Sequence, residues 1–105
     1  MRKNSDPVLI NFRSALEKIY GDRLARIVLF GSRARGDARK DSDYDVAVFL
    51  KSMQDRWQEF DRLSALSLDI VDRTGAVVNA LPYLNTTYQE RSSLMGEIRQ
   101  EGIEI

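Results

Sequence analysis

The chain contains neither cysteine nor histidine. Disulfides are excluded, zinc loses its usual sulfur and nitrogen ligands, and Ser–His or Cys–His nucleophile pairs cannot be built. Charge of one sign is also missing: 16 Lys and Arg balance 16 Asp and Glu. A neutral chain without a basic stripe does not offer a general nucleic-acid surface, so no direct nucleic-acid binding is expected. No apolar run approaches the roughly 18 residues that span a bilayer, and the opening MRKNSDP is not followed by the apolar core of a signal peptide. No membrane association and a cytoplasmic location are therefore expected. What is present is 43% hydrophobic residues over 105 positions, enough for a modest core and a single domain spanning 1–105.

One stretch organises the rest, RIVLFGSRARGDARKDSDYDVAVFL over 26–50. An apolar run, Ile27 to Phe30, breaks at Gly31-Ser32, and a second resumes at Val46. Residues two apart on a strand share a face. Asp43 and Asp45 therefore project side by side, while Val46, Val48 and Leu50 turn to the opposite, core side. Two carboxylates forced together repel, and a cation between them relieves the conflict. Mg²⁺ suits the place, because it takes oxygen ligands and is commonly shared between one or two carboxylates and substrate phosphates. Gly31 permits a sharp turn and close approach of the backbone, whose successive N–H groups can form an anion-binding nest, and Ser32 adds a hydroxyl. The stretch reads as a phosphate grip facing a metal grip.

Gly31-Ser32, ten residues and then Asp43-Tyr44-Asp45 resembles the GS-x10-DxD signature of the nucleotidyltransferase superfamily that includes DNA polymerase beta. The fuller GSRARGDARKDSDYD resembles its minimal nucleotidyltransferase branch, small proteins often paired with a HEPN-domain partner. The resemblance implies Mg²⁺-dependent transfer of AMP from ATP to an acceptor hydroxyl. Asp43 and Asp45 would be the catalytic metal ligands, and Gly31 and Ser32 would hold the β- and γ-phosphates. It further implies that the acceptor is a tyrosine of a HEPN-type toxin ribonuclease, silenced by adenylylation, which would make this chain the antitoxin. The superfamily usually places a third carboxylate on a following strand. Here Val78-Asn79-Ala80-Leu81 puts Asn79 at that position, which offers a neutral oxygen and no proton acceptor.

The remaining elements follow from pattern. Asp6 and Pro7 start a helix over 7–20 with Val8, Leu9, Phe12, Leu16, Ile19 and Tyr20 on one stripe, closed by Gly21. A strand covers 25–30 and a loop 31–42. In that loop Arg33 and Arg35 are candidates for the triphosphate, against the plainer reading of solvated ion pairs. Ser42 is placed to cap the turn and orient Asp43. After the strand at 44–50 comes a helix over 54–73 with a stripe of Trp57, Phe60, Leu63, Leu66, Ile70 and Val71, closed by Gly75. It carries Asp69 and Asp72 as solvated residues. A strand is expected at 76–81, ended by Pro82. A capping box Thr87-x-x-Glu90 leads a short stripe of Leu94, Met95 and Ile98, and residues 103–105 can form a short terminal strand or pack as a tail.

The expected fold is α/β (α+β): a small mixed or antiparallel sheet flanked by helices, with 25–30 and 44–50 as antiparallel neighbours. Two further readings stay open. One is a nucleotide-binding module that neutralises its partner by contact. The other is a small-molecule or RNA-end nucleotidyltransferase completed by a second subunit.

Overall fold

The computed structural model describes residues 5–105. Helix α1, Pro7–Tyr20, starts where expected: the Asp6 side chain accepts a hydrogen bond from the Val8 N–H, and Pro7 occupies the first turn. A 3-10 turn leads to β1, Leu24–Phe30. The one-turn helix α2, Ser32–Arg35, replaces the front of the expected loop. Then come β2, Tyr44–Leu50, α3, Arg56–Thr74, β3, Val78–Leu84, α4, Ser93–Glu101, and β4, Ile103–Glu104.

The four strands form one mixed sheet in the order β3-β2-β1-β4. β1 runs antiparallel to β2 and to β4, whereas β2 and β3 are parallel. The parallel pair follows from its connection, since a 19-residue helix between two strands provides the crossover that parallel pairing demands.

The sheet is covered on both faces. Val46, Val48 and Leu50 pack with Ile27, Leu29 and Val78 under α1 and α3. The opposite face also has a core, Val28, Ala47 and Phe49 against Met95 and Ile98 of α4. Asp43 and Asp45 belong to this second face by alternation.

Several boundaries differ from expectation, each for a local reason. Helix α3 begins at 56 because Asp55 is its cap, accepting from the Trp57 and Gln58 N–H groups. Strand β3 runs through Pro82 instead of ending before it. Since β3 is an edge strand, a residue without an N–H is tolerated there. The Thr87–Glu90 capping box does not form: residues 85–89 make a 3-10 turn and Ser92 caps α4 through the Met95 N–H. The stripe of α3 is broader than its cover. Leu63 and Ile70 are buried, but Trp57 is 77% exposed and Phe60 is also open to solvent. Ile19 of α1 is likewise exposed. Asp69 and Asp72 are exposed as expected, Asp69 pairing with Arg73 at 2.8 Å. No helix among the described residues is long and apolar enough to cross a membrane.

At the end of the sheet away from Gly31, Glu59 is buried (2% exposed) with both oxygens engaged. Arg23 donates to Oε2 at 2.7 Å and Arg62 to Oε1 at 3.1 Å. Arg23 also donates to the Ser52 carbonyl, which ties the start of β1 and the exit of β2 to α3. Burial by itself would raise the Glu59 carboxyl, but Arg23, with Tyr20 and Arg62 beside it, holds it below its ordinary 4.5. A carboxyl depressed in the folded state stabilises above the unfolded value, and that contribution is lost as pH falls through the folded value. Glu59→Gln is accordingly expected to cost about 1–3 kcal/mol at pH 7. The gap to the wild type should be narrower at a pH well below 4.5 than at pH 7. Urea unfolding at the two pH values measures this; a gap independent of pH would assign the loss to packing.

Candidate active site

The site is built where β1 ends against the start of β2. Phe30 pairs with Asp45, so the next residue must turn away directly beside that carboxylate. Gly31 does so with φ 75°, a left-handed value that disfavours any side chain. A Cβ at this position would also run into the Asp45 carboxylate. Glycine is thus required twice, by the backbone angle and by the carboxylate that fills the space. Ser32 opens α2, and the Gly31 carbonyl accepts from the Ala34 and Arg35 N–H groups. The N–H groups at the start of such a turn have no partner within it.

Arg33 folds back under the loop that leads to Asp43. Its Nε and Nη2 donate to the Ser42 carbonyl at 2.9 and 2.8 Å, and Nη2 reaches the Lys40 carbonyl at 3.2 Å. Its guanidinium stacks on the Tyr44 ring, 4.0 Å from the centroid. The Ser42 hydroxyl accepts from the Arg39 N–H at 2.8 Å, so it caps the turn as expected. Arg35 lies further out, between Asp37 at 3.4 Å and Glu101 at 3.6 Å.

Between the two carboxylates, Tyr44 turns to the other face and is buried. Its hydroxyl donates to Asp6 Oδ2 at 2.8 Å, while Asp6 Oδ1 caps α1. Burial first, then the Asp6 hydrogen bond and charge, push the Tyr44 phenol up to about 12, with Arg33 opposing. The first turn of α1 is therefore latched to the strand that carries Asp43 and Asp45.

Asn79 completes the group. In the parallel register it stands directly opposite Asp45. Its Nδ2 donates to Asp43 Oδ2 at 3.0 Å and reaches Asp45 Oδ1 at 3.5 Å. The amide lies against both carboxylates, as a neutral donor where two like charges meet. Among the described residues no group of three or more His, Cys, Asp or Glu gathers to hold a metal. The donor set is two carboxylates and one amide on an open face. That set fits a hard cation shared with phosphate oxygens, the amide being able to turn and offer its carbonyl oxygen.

Comparison with known proteins identifies the family. The family model for the nucleotidyltransferase domain matches residues 9–101. The chain belongs to that family. Two Methanocaldococcus jannaschii proteins provisionally named protein adenylyltransferases resemble this nucleotidyltransferase. One is 26% identical over 98 residues, covering 93% of this chain and 95% of the relative. The other is 32% identical over 78 residues, covering 74% and 72%. Among solved structures, one provisionally described as a minimal nucleotidyltransferase superposes with a TM-score of 0.61 at 24% identity, covering all of this chain and 97% of the other. A toxin–antitoxin crystal structure with AMP-PNP gives 0.58 at 21% identity, covering 90% and 69%. The structure of a tri-AMPylated Shewanella oneidensis HEPN toxin in complex with an MNT antitoxin gives 0.53 at 18%, covering 92% and 70%. These likenesses establish that the nucleotidyltransferase has the fold of that group, a mixed sheet between helices.

The structure brings Gly31, Asp43, Asp45 and Asn79 of this nucleotidyltransferase together and puts Ser32 beside them. It places Arg33 and Ser42 in the framework of the loop, and Arg35 in ion pairs. Tyr44 and its bond to Asp6 were not foreseen. Nothing in the sequence paired Tyr44 with a residue 38 positions earlier.

Proposed function

We propose that this nucleotidyltransferase moves AMP from ATP to a tyrosine hydroxyl of a HEPN-type toxin ribonuclease and acts as its antitoxin. The observation that carries the reading is the opposition of the Gly31 turn to Asp43 and Asp45 at the mouth of the sheet. The relatives named for protein adenylylation and the neighbouring toxin–antitoxin structures support the choice of acceptor. Gly31 and Ser32 hold the β- and γ-phosphates through backbone N–H groups and the Ser32 hydroxyl. Asp43 and Asp45 would hold Mg²⁺, which would supply charge neutralisation for the triphosphate and its leaving group. Arg33 and Ser42 keep the loop before Asp43 in place, and Arg35 lies at the edge of the phosphate approach. The acceptor oxygen bonds to the α-phosphorus, the bond from that phosphorus to the α,β-bridging oxygen breaks, and pyrophosphate leaves. The hydroxyl proton is released to solvent; Asn79, a neutral amide, does not take it. Incubation with radiolabelled ATP, Mg²⁺ and a co-purified helical partner tests this. Label on a partner tyrosine supports it; a stable complex without label would favour the contact-only module.

Asn79 favours an acidic acceptor. General-base help is commonly worth about 10²–10⁴-fold, and a site without it suits a phenol with a pKa near 10 better than an aliphatic hydroxyl. Asn79→Asp is expected to speed transfer to N-acetylserinamide at least about tenfold more than transfer to N-acetyltyrosinamide. The readout is the ratio of the two rates in wild type and variant at matched Mg²⁺. Equal effects on both acceptors would remove Asn79 from the reaction.

A further inference from the structure

We propose that the groove between α3 and the free edge of β3 docks an extended, apolar segment of the acceptor protein and delivers its hydroxyl to Asp43 and Asp45. This rests on the reading of those two residues as the reaction centre and adds the surface that presents the acceptor.

The edge comes first. Among the described residues β3 pairs with β2 alone. The Tyr44 N–H donates to the Val77 carbonyl, so in a parallel ladder the odd residues of β3 bond toward β2. The N–H and C=O groups of Val78 and Ala80 then point off the sheet. The next outward residue is Pro82, which has no N–H, and its carbonyl accepts from Arg56 Nε at 3.4 Å. Unpaired strand groups of this kind are a template for one more strand, here a short one because Pro82 ends the run of donors.

The wall comes next. A groove of about 470 Å³ runs along this edge, lined by Phe60, Leu68 and Val71 of α3, by Val77 just before β3, and by Asn79 and Leu81 of β3. None of these is ionisable, and Leu68 is 65% exposed. Asn79 lines the groove while its side chain lies on the carboxylate face, so a strand added at this edge would turn alternate side chains toward the reaction centre.

Direction decides the occupant. In-line displacement puts the attacking oxygen and the leaving pyrophosphate on opposite sides of the phosphorus. The phosphate grip follows β1 and the groove follows β3, on either side of the β2 carboxylates in the sheet order. An acceptor therefore enters from the groove. At the far end, exposed Arg56 makes no ion pair among the described residues, next to Trp57. Asn79 to Pro82 is three steps along a strand, about 10 Å at about 3.3 Å each. The fitting segment thus has a hydroxyl residue, two or three apolar residues and an acid for Arg56.

The probes are acetylated pentapeptide amides of tyrosine, three apolar residues and glutamate, in both chain directions, with N-acetyltyrosinamide as the minimal acceptor. Trp57 is the only tryptophan, so its emission reads occupancy without any chemistry, and mass spectrometry reads AMP transfer with ATP and Mg²⁺. One peptide direction is expected to shift the emission saturably and to exceed N-acetyltyrosinamide in kcat/KM by about tenfold or more. Leu68→Glu is expected to abolish that advantage and leave N-acetyltyrosinamide unaffected. Arg56→Glu is expected to abolish the advantage of the glutamate peptide and to restore it for the same peptide with lysine in place of glutamate. Emission and peptide kcat/KM unchanged in both variants would overturn the groove, as would the absence of any emission shift. A Leu68-dependent shift with no transfer to either acceptor would uphold the groove and sink the tyrosine reading.

Discussion

Replacing either Asp43 or Asp45 by alanine is expected to lower nucleotide transfer by at least about 10³-fold, a loss of several kcal/mol of transition-state stabilisation, while the protein stays folded. Asp43 is exposed and Asp45 half-buried, and neither contributes to either hydrophobic cluster. Each substitution removes a hydrogen bond from Asn79 and also a like-charge repulsion. Unfolding stability is therefore expected to stay within about 1 kcal/mol of the wild type or to rise. Transfer assays and thermal melts in metal-free buffer check the two halves. A loss of about 3 kcal/mol or more with transfer preserved would make these acids structural.

Gly31→Ala is the second large effect. The substitution meets a positive φ and a carboxylate in the same place. Strain of this type costs about 1–3 kcal/mol, and relief of the clash must displace either Asp45 or the turn. A fall in transfer of about 10²-fold or more is expected from misplacement alone. Gly36→Ala is the matched control. Its φ is 86°, but nothing lies within 4 Å of the added Cβ. It should lose comparable stability and keep most of its transfer, so the difference between the two variants isolates the contact with Asp45. If both lose transfer equally, the Asp45 contact does not set the site.

The parts of this fold that were legible in sequence are those fixed by short-range rules. Asp6-Pro7 marked the start of α1, alternation placed Asp43 and Asp45 on one face, and the short connection made β1 and β2 antiparallel. Long-range geometry was less accessible. The span of β3 was cut short because Pro82 reads as a breaker until its place on an edge is known. Trp57 and Phe60 share helical spacing with Leu63, yet the sheet is too narrow to cover them. Ser92 won the cap of α4 from Thr87 because residues 85–89 are drawn into a tight turn whose end is held by Arg99, which donates to the Tyr88 and Glu90 carbonyls. In the site, the Gly-Ser turn and the paired acids were evident from residue type and spacing. That Asn79 lies against both acids depends on the β2–β3 register, and that Arg33 supports the loop depends on where Ser42 and Tyr44 fall around it.

The parallel pairing of β2 with β3 has a consequence for how the site comes into being. Gly31, Asp43 and Asp45 lie in one antiparallel hairpin whose contacts are local and form early. Asn79 is 34 residues beyond Asp45 and arrives only when α3 has formed and the intervening loop has closed, an added entropic cost. The same strand pairs, among the described residues, with β2 alone, so it can open locally without the hairpin coming apart. Detachment of β3 separates the amide from the acids and dismantles the groove while the hairpin and α1 remain packed. The fraction of molecules competent to transfer a nucleotide is then governed by this local opening rather than by global unfolding.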